Sequence, residues 1–308
     1  MKMKLKDYLN SYNFFDDDHI TITNIEILFK NICEKYDNYI FTYGELEKFI
    51  NSDKKITILS INPDSDIPKP KDYVISEYNN PYLMFDEEKQ KMIDEIDYFE
   101  KIELDMLNNI NDNIENIYCN SVGKLHSKIN MVPIGRDFKN VDFFEYADQL
   151  CKNKKTILCY YNVTLPPKNF HWYGLIREHI YNLVKDKDFI KKKKCQQHPR
   201  VYTHVDIVEY YDDLSKSKFM ICPRGCGIDT YRFWDSIYMG CIPIVEKYEG
   251  YNQFDDLPIL FINNWKEIEN ISPDYLESKW KEMIEREYNY DKLRMSYWKN
   301  KILNQNTL

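Results

Sequence analysis

No stretch of this sequence approaches the roughly 18 uncharged apolar residues that a membrane helix needs. The opening run MKMKLKDYLNSYNFFDDDHI carries positive charge without the apolar core of a signal peptide. A soluble, cytoplasmic protein with no membrane span is therefore expected. A positive excess is missing as well: 42 Lys and Arg stand against 50 Asp and Glu, which argues against a nucleic-acid partner held by a general positive field. The cysteines (Cys33, Cys119, Cys151, Cys159, Cys195, Cys222, Cys226 and Cys241) show no paired CxxC spacing, so free buried thiols are expected rather than a zinc site or a disulfide framework. Alanine is nearly absent while Asn, Lys, Ile and Tyr abound, as when an AT-rich genome fills permissive positions, and this weakens any argument from a single Tyr or Lys. What is present suffices for a packed core: 43% of residues are hydrophobic, with 26 Tyr and 16 Phe.

At 308 residues the chain has room for two domains of about 150 residues each. In the first half, Ile56 to Ile61 (ITILSI) reads as a strand, Asn62 to Pro81 as an exposed loop rich in Pro, Asp and Asn, and Glu87 to Asn109 as a charged amphipathic helix. Ile129 to Phe138 (INMVPIGRDF) reads as a domain's last strand followed by a turn. The second half is more regular. Strands are expected at Thr156 to Val163, Arg200 to Val205, Lys218 to Cys222, Ile242 to Val245 and Leu257 to Ile262. Helices are expected at His171 to Lys185, Ile207 to Ser215 and Thr230 to Met239. Short apolar strands alternating with helices predict a parallel sheet covered on both faces. The tail, Pro273 to Ile302, reads as charged helix. These readings divide the chain into an N-terminal domain over 1–152, a second over 153–285, and a C-terminal helix over 286–308 that packs back toward the first.

Chemistry concentrates in Ser217 to Val245, SKFMICPRGCGIDTYRFWDSIYMGCIPIV. A buried strand runs into Pro223-Arg224-Gly225-Cys226-Gly227, whose glycines let backbone approach a ligand, and a helix begins with Asp229 or Thr230 as N-cap. Ligands of open α/β sheets bind beyond the carboxyl ends of strands, and a helix N-terminus there favours an anion. The turn has neither the GxGxxG spacing of a dinucleotide site nor the GK[ST] of a P-loop. On the helix, Tyr231, Phe233, Trp234, Ile237 and Tyr238 share an apolar face, while Asp229, Arg232, Asp235 and Ser236 occupy the remaining arc. That arc fits two readings. One is a solvent-exposed Arg232–Asp235 pair worth about 0.2 to 0.5 kcal/mol; the other, favoured because so aromatic a helix is expected to be buried, is the wall of a cleft.

The string PRGCGIDTYRFWDSIYMGCIPIV resembles the donor-binding segment of the exostosin-like (GT47-type) glycosyltransferases, in which a PRG turn is followed by a sequence close to RFxEAxxxGCIPV. The resemblance runs from Lys155 to Leu260 and takes in Asn162, Arg177 and the LPIL of Leu257 to Leu260. The first half matches faintly, through Asn120 and the VPIG around Pro133. Asp235 stands where that family usually has Glu, one methylene longer. The resemblance implies a GT-B-type α/β fold, two Rossmann-like domains facing a cleft, with the donor on the second and the acceptor on the first. It implies inversion at the anomeric carbon and hence one general base. Position by position, Arg224 and Arg232 would hold a diphosphate, with Arg177 as a third cation, Gly225 and Gly227 offering backbone N–H groups, Asp229 and Thr230 at the helix start, and Asp235 accepting from the donor ribose. No metal and no cofactor are required, because the cations meet the charge of the leaving group.

The base is expected from the first half, where His126 and Asp137 flank the strand at Ile129 to Ile134. Asp16, Asp17 and Asp18 read as a solvated turn rather than a metal site, Lys191 to Lys194 as a charged loop after a helix, and Cys195, His198 and His204 lack zinc-ligand spacing. Asn162-Val-Thr164 is a sequon that a cytoplasmic protein leaves unmodified. The sequence thus points to a glycosyltransferase that moves a sugar from a nucleotide-diphosphate donor, UDP-sugar before GDP-sugar, to a glycan or glycosylated acceptor. Its rivals are a GDP-sugar-dependent fucosyltransferase-like enzyme and a catalytically silent nucleotide-sugar-binding protein.

Overall fold

The computed structural model describes residues 2–10, 18–42, 49, 52–61, 110–120, 122, 126–136, 153–163, 173–193, 204–225 and 227–304. The loop expected at Asn62 to Pro81 and the helix at Glu87 to Asn109 lie outside these residues. The chain opens with β1 (Lys2–Lys4) and the single turn α1 (Leu5–Tyr8), followed by α2 (Ile22–Lys35). In α2 the Thr21 side chain accepts from Asn24 N as N-cap, and Ile25, Phe29 and Ile32, at i, i+4 and i+7, form the buried stripe. Four strands then build a parallel sheet: β2 (Tyr39–Thr42), β3 (Ile56–Ser60), β4 (Ile114–Cys119) and β5 (Ile129–Met131), in the order β2-β3-β4-β5. Every residue of β3 is buried, as expected of a central parallel strand with both faces covered.

The second sheet holds β6 (Ile157–Tyr161), β7 (Ile190–Lys192), β8 (Ser217–Ile221), β9 (Ile242–Glu246) and β10 (Leu260–Ile262), all parallel, in the order β10-β9-β8-β6-β7. Helices α3 (Tyr173–Val184), α4 (His204–Lys216) and α5 (Tyr231–Tyr238) make the connections between successive strands from β6 to β9. The protein is therefore α/β with two parallel sheets, consistent with two Rossmann-like units.

Two sequence expectations change here. Among the described residues a strand between α3 and α4 lies at 190–192; of the strand expected at Arg200 to Val205, residues 204 and 205 belong to α4 and the rest lie outside the described residues. Its lysines hid it, because β7 is an edge strand and can turn charge outward. Lys191 pairs with Asp213, and Lys192 Nζ reaches the last carbonyl of α3, Val184 O at 3.3 Å, and two just past it, Lys185 O at 2.9 Å and Lys187 O at 2.8 Å. The charged tail is also not one helix: α6 (Pro273–Met283), capped by Ser272, gives way to β11 (Glu287–Asn289) and then α7 (Met295–Asn304).

The ends of the chain cross over. Strand β1 pairs antiparallel with β11, and Tyr8 stacks on Tyr290 with ring centroids 4.1 Å apart. Going the other way, α7 meets the first sheet through Tyr39 OH to Ile302 O at 3.2 Å and Tyr118 OH to Lys301 O at 3.4 Å. Asp18, expected in a solvated turn, instead clasps the start of α7: its carboxylate accepts from Arg294 Nε at 2.8 Å, Ser296 N at 2.7 Å and Ser296 Oγ at 2.6 Å. Gly250 approaches the first half so closely that a Cβ there would lie 1.9 Å from Val122 O. Among the described residues no helix is long and apolar enough to cross a membrane.

Candidate functional site

Strands β6 and β8 are neighbours, yet the connection after β6 leads to β7 on one flank while the connection after β8 leads to β9 on the other. Such a reversal opens a crevice at the carboxyl ends of the two strands, where ligands of open α/β sheets bind. Sequence supplies this point with guanidinium groups. Arg224 follows β8, Arg232 lies in the first turn of α5, and Arg177 comes from α3. Arg177 Nε donates to Arg224 O at 3.2 Å, and its Nη2 passes 3.3 Å from where a Cβ of Gly225 would stand, so any larger residue at 225 crowds it. Arg232 Nε donates at 2.7 Å to the carbonyl of Asn162, the first residue after β6. The Asn162 amide in turn donates to Tyr160 OH at 2.7 Å, and Tyr161 OH donates to Arg177 O at 2.7 Å, so β6 holds two of the three arginines.

Helix α5 is anchored on every side. The Thr230 side chain caps it, accepting from Phe233 N at 3.4 Å, which makes Thr230 and not Asp229 the N-cap. Phe233, Trp234 and Ile237 are fully buried, each worth roughly 1.5 to 3 kcal/mol for a large apolar side chain. The polar arc is buried too, with Asp235 at 4% and Ser236 at 0% exposure. In the turn before it, Gly225 N–H donates to Gly227 O at 2.9 Å.

The two carboxylates of the arc are engaged elsewhere. Asp229 Oδ2 accepts from Ile134 N at 2.7 Å, and its Oδ1 from Trp234 Nε1. Asp235 Oδ1 lies 3.3 Å from Arg136 Nε, with Tyr210 OH 3.5 Å from Oδ2. Neither carboxylate faces the arginine cluster as a solvent-exposed ligand group, and the surface pair between Arg232 and Asp235 is not formed. Arg136 went unnoticed in the sequence although a signal was there. The chain carries seven arginines among 42 basic residues, and Arg136 is the only one in its first 150 positions. In a sequence that writes lysine wherever it is tolerated, each arginine marks a place that needs a planar fork.

Glu246 and Tyr248 were missed as well. At the carboxyl end of β9 the Glu246 carboxylate accepts from Tyr248 OH at 3.1 Å, and the Arg224 guanidinium lies 5.5 Å from the Tyr248 ring centroid. Burial pushes the Glu246 carboxyl above its ordinary value, against the opposing pull of Tyr248 and Arg224.

His126 does not join this site. It precedes β5 at the amino end of the first sheet, where its Nδ1 accepts from Lys128 N at 3.2 Å and Lys128 Nζ reaches Asn111 O, just ahead of β4. Ile134, whose N–H donates to Asp229 ahead of α5, lies beyond the other end of β5. Burial, and then Lys128, lowers the His126 pKa. Asp137 lies outside the described residues. Of the cysteines, Cys119, Cys159, Cys222 and Cys241 are buried free thiols and Cys33 a half-buried one; burial pushes Cys222 up to about 12, which keeps it a thiol.

The family model of the Exostosin GT47 domain matches residues 100–268, more than half of the chain. The protein belongs to the exostosin GT47 family. The match spans the second sheet from β6 to β10, and with it the turn, the helix and all three arginines of the cluster. GT47 is a glycosyltransferase family, so the domain's reaction class is the transfer of a sugar, and a sugar donor and an acceptor are its partners.

Proposed function

We propose that Arg177, Arg224 and Arg232 receive the diphosphate of a nucleotide-sugar donor, and that the protein transfers that sugar to a glycan or glycosylated acceptor with inversion and without a metal. The observation that carries this reading is the placing of three arginines, from three separate segments, around the carboxyl ends of β6 and β8: Arg177 Nε donates to Arg224 O, just past β8, and Arg232 Nε to Asn162 O, just past β6. Arginine's fork matches phosphate oxygens, and bonds of this charge-assisted kind are the strong ones. As the bond from the anomeric carbon to the diphosphate oxygen breaks, negative charge grows on the leaving group, and fixed cations stabilise it without reorganising. The acceptor hydroxyl attacks from the opposite face and gives its proton to a base on the first half. Asp137 is the better candidate for that base, since it follows Arg136, whose side chain reaches α5, whereas His126 stands at the far end of its sheet.

The donor is read as a UDP-sugar. Calorimetry and thermal melts with UDP, GDP and UMP test this directly. UDP at 100 times its Kd should stabilise the protein by about 2.7 kcal/mol, with weaker responses to GDP and to UMP, which lacks the second phosphate. Absence of a response to any nucleoside diphosphate would overturn the reading, and a larger response to GDP would reassign the donor.

A further inference from the structure

One short stretch of the first half, Ile134 to Arg136, reaches the arginine-bearing helix and the residue just ahead of it through its two end residues. Ile134 N–H donates to Asp229 at 2.7 Å. Gly135, at φ 72°, runs so close under the carbonyl of Ile20 that a Cβ would lie 2.3 Å from its oxygen, and Arg136 N–H donates to that same oxygen at 3.0 Å. The Arg136 side chain, 0% exposed, then extends to Asp235, with its guanidinium 5.5 Å from the Tyr211 ring centroid and 5.2 Å from that of Tyr238. Asp229 and Asp235 bracket Thr230 and Arg232, so one stretch of the first half grips the helix on both sides of the residue read as a phosphate ligand.

We propose that Arg136 is a positioning residue for Arg232: through Asp235, one turn further along α5, it fixes the helix so that the Arg232 guanidinium stands where a diphosphate needs it, without touching the donor itself. This rests on the reading of the arginine cluster as the diphosphate site. The arrangement also gives Asp235 a task other than ribose contact. A lysine at position 136 keeps the charge but loses the planar fork held between two rings, so this swap is not conservative here.

The test is a double-mutant cycle on the full chain, read as the Kd for UDP by calorimetry well below the melting temperature of every variant. Arg136→Lys should weaken UDP about tenfold in the parental background and less than about twofold once Arg232→Ala is present, because residues acting through one contact are not additive. Asp235→Asn, nearly isosteric with the parent, runs the same cycle should Arg136→Lys fail to fold. A role confined to folding would lower the melting temperature and leave Kd unchanged, and direct ribose contact by Asp235 would weaken UDP equally in both backgrounds; either result overturns the proposal. If the parent binds UDP and Arg232→Ala weakens it while the Arg136 and Asp235 variants do not, the positioning role alone falls. If the parent binds neither UDP nor GDP, the diphosphate reading falls and the positioning role with it.

Discussion

Truncating Arg232 to alanine separates ligand binding from folding, because the side chain's two tasks differ in size. In the free protein its Nε makes one hydrogen bond, to Asn162 O at 2.7 Å. Losing such a bond costs about 0.5 to 1.5 kcal/mol, a fall of a few degrees in Tm for a chain of this length. A guanidinium meeting a diphosphate makes charge-assisted bonds of about 1.5 to 3 kcal/mol, and at about 1.4 kcal/mol per factor of ten this is roughly a 12-fold to 140-fold loss of affinity. Binding should therefore fall far more than stability does. The assay is calorimetry with UDP at about 0.1 M salt, where the Debye length of about 10 Å screens general attraction but not direct contact, alongside a melt of each protein. Arg232→Lys, which keeps the charge and loses the fork, should fall between parent and alanine. A folded Arg232→Ala variant that binds UDP with the parental Kd would refute the placement of the diphosphate.

Three further expectations follow from other parts of the molecule. Gly135→Ala should cost more than about 3 kcal/mol or prevent folding, since a left-handed conformation costs an L-residue about 1 to 2 kcal/mol and the new Cβ drives Ile20 O away from Arg136 N; a melt within 2 °C of the parent at this ~2 kcal/mol-or-greater strain would contradict it. Burial alone would raise the Asp18 carboxyl, but its bonds from Ser296 and Arg294 outweigh burial and hold it below its ordinary 3.8, so its stabilisation is present above that value and lost as pH falls through the lowered one. Asp18→Asn should thus lower Tm at pH 7, and the deficit should shrink as pH falls below the ordinary value and through the lowered one; a deficit that stays constant down the acid titration would count against the clasp. Sugar transfer should persist in EDTA, because arginines meet the leaving-group charge in this reading; complete loss restored by manganese would sink metal independence.

The second sheet was legible because central parallel strands are continuous apolar runs with sharp ends. KFMIC and IPIV become β8 and β9 to within a residue, and the glycine turn between the first of these and α5 marks the carboxyl end of β8. Edges were not legible. β7 carries lysines that its exposed position tolerates, and β11 exists because it pairs with β1 from the opposite end of the chain, a partner that no local pattern announces. At the site the same division holds. Arg224 and Arg232 stood in a recognisable motif, but the partners of its carboxylates lie 95 and 99 residues away, where no local pattern points to them. The two candidate bases could not be ranked by sequence for a related reason: flanking a strand says nothing about which end of the sheet a residue occupies, and His126 flanks the amino end.

The contact between the halves is made largely of directional bonds. Tyr238 OH accepts from Ile20 N at 3.0 Å and donates to Leu293 O, Met131 N donates to Gln253 Oε1 at 3.2 Å, and Ile134 N and Arg136 reach Asp229 and Asp235. Apolar surfaces of similar shape can slide past one another at little cost, whereas a buried donor or acceptor that loses its partner costs about 1 to 3 kcal/mol, and more when charged. A slip of one residue between Ile134–Arg136 and α5 would break two of these bonds together and take one donor each from Asp229 and Asp235 while both stay buried. The joint therefore admits one register. Because Arg232 lies between the two carboxylates that define it, the register of the joint is also the position of that cation relative to the first sheet.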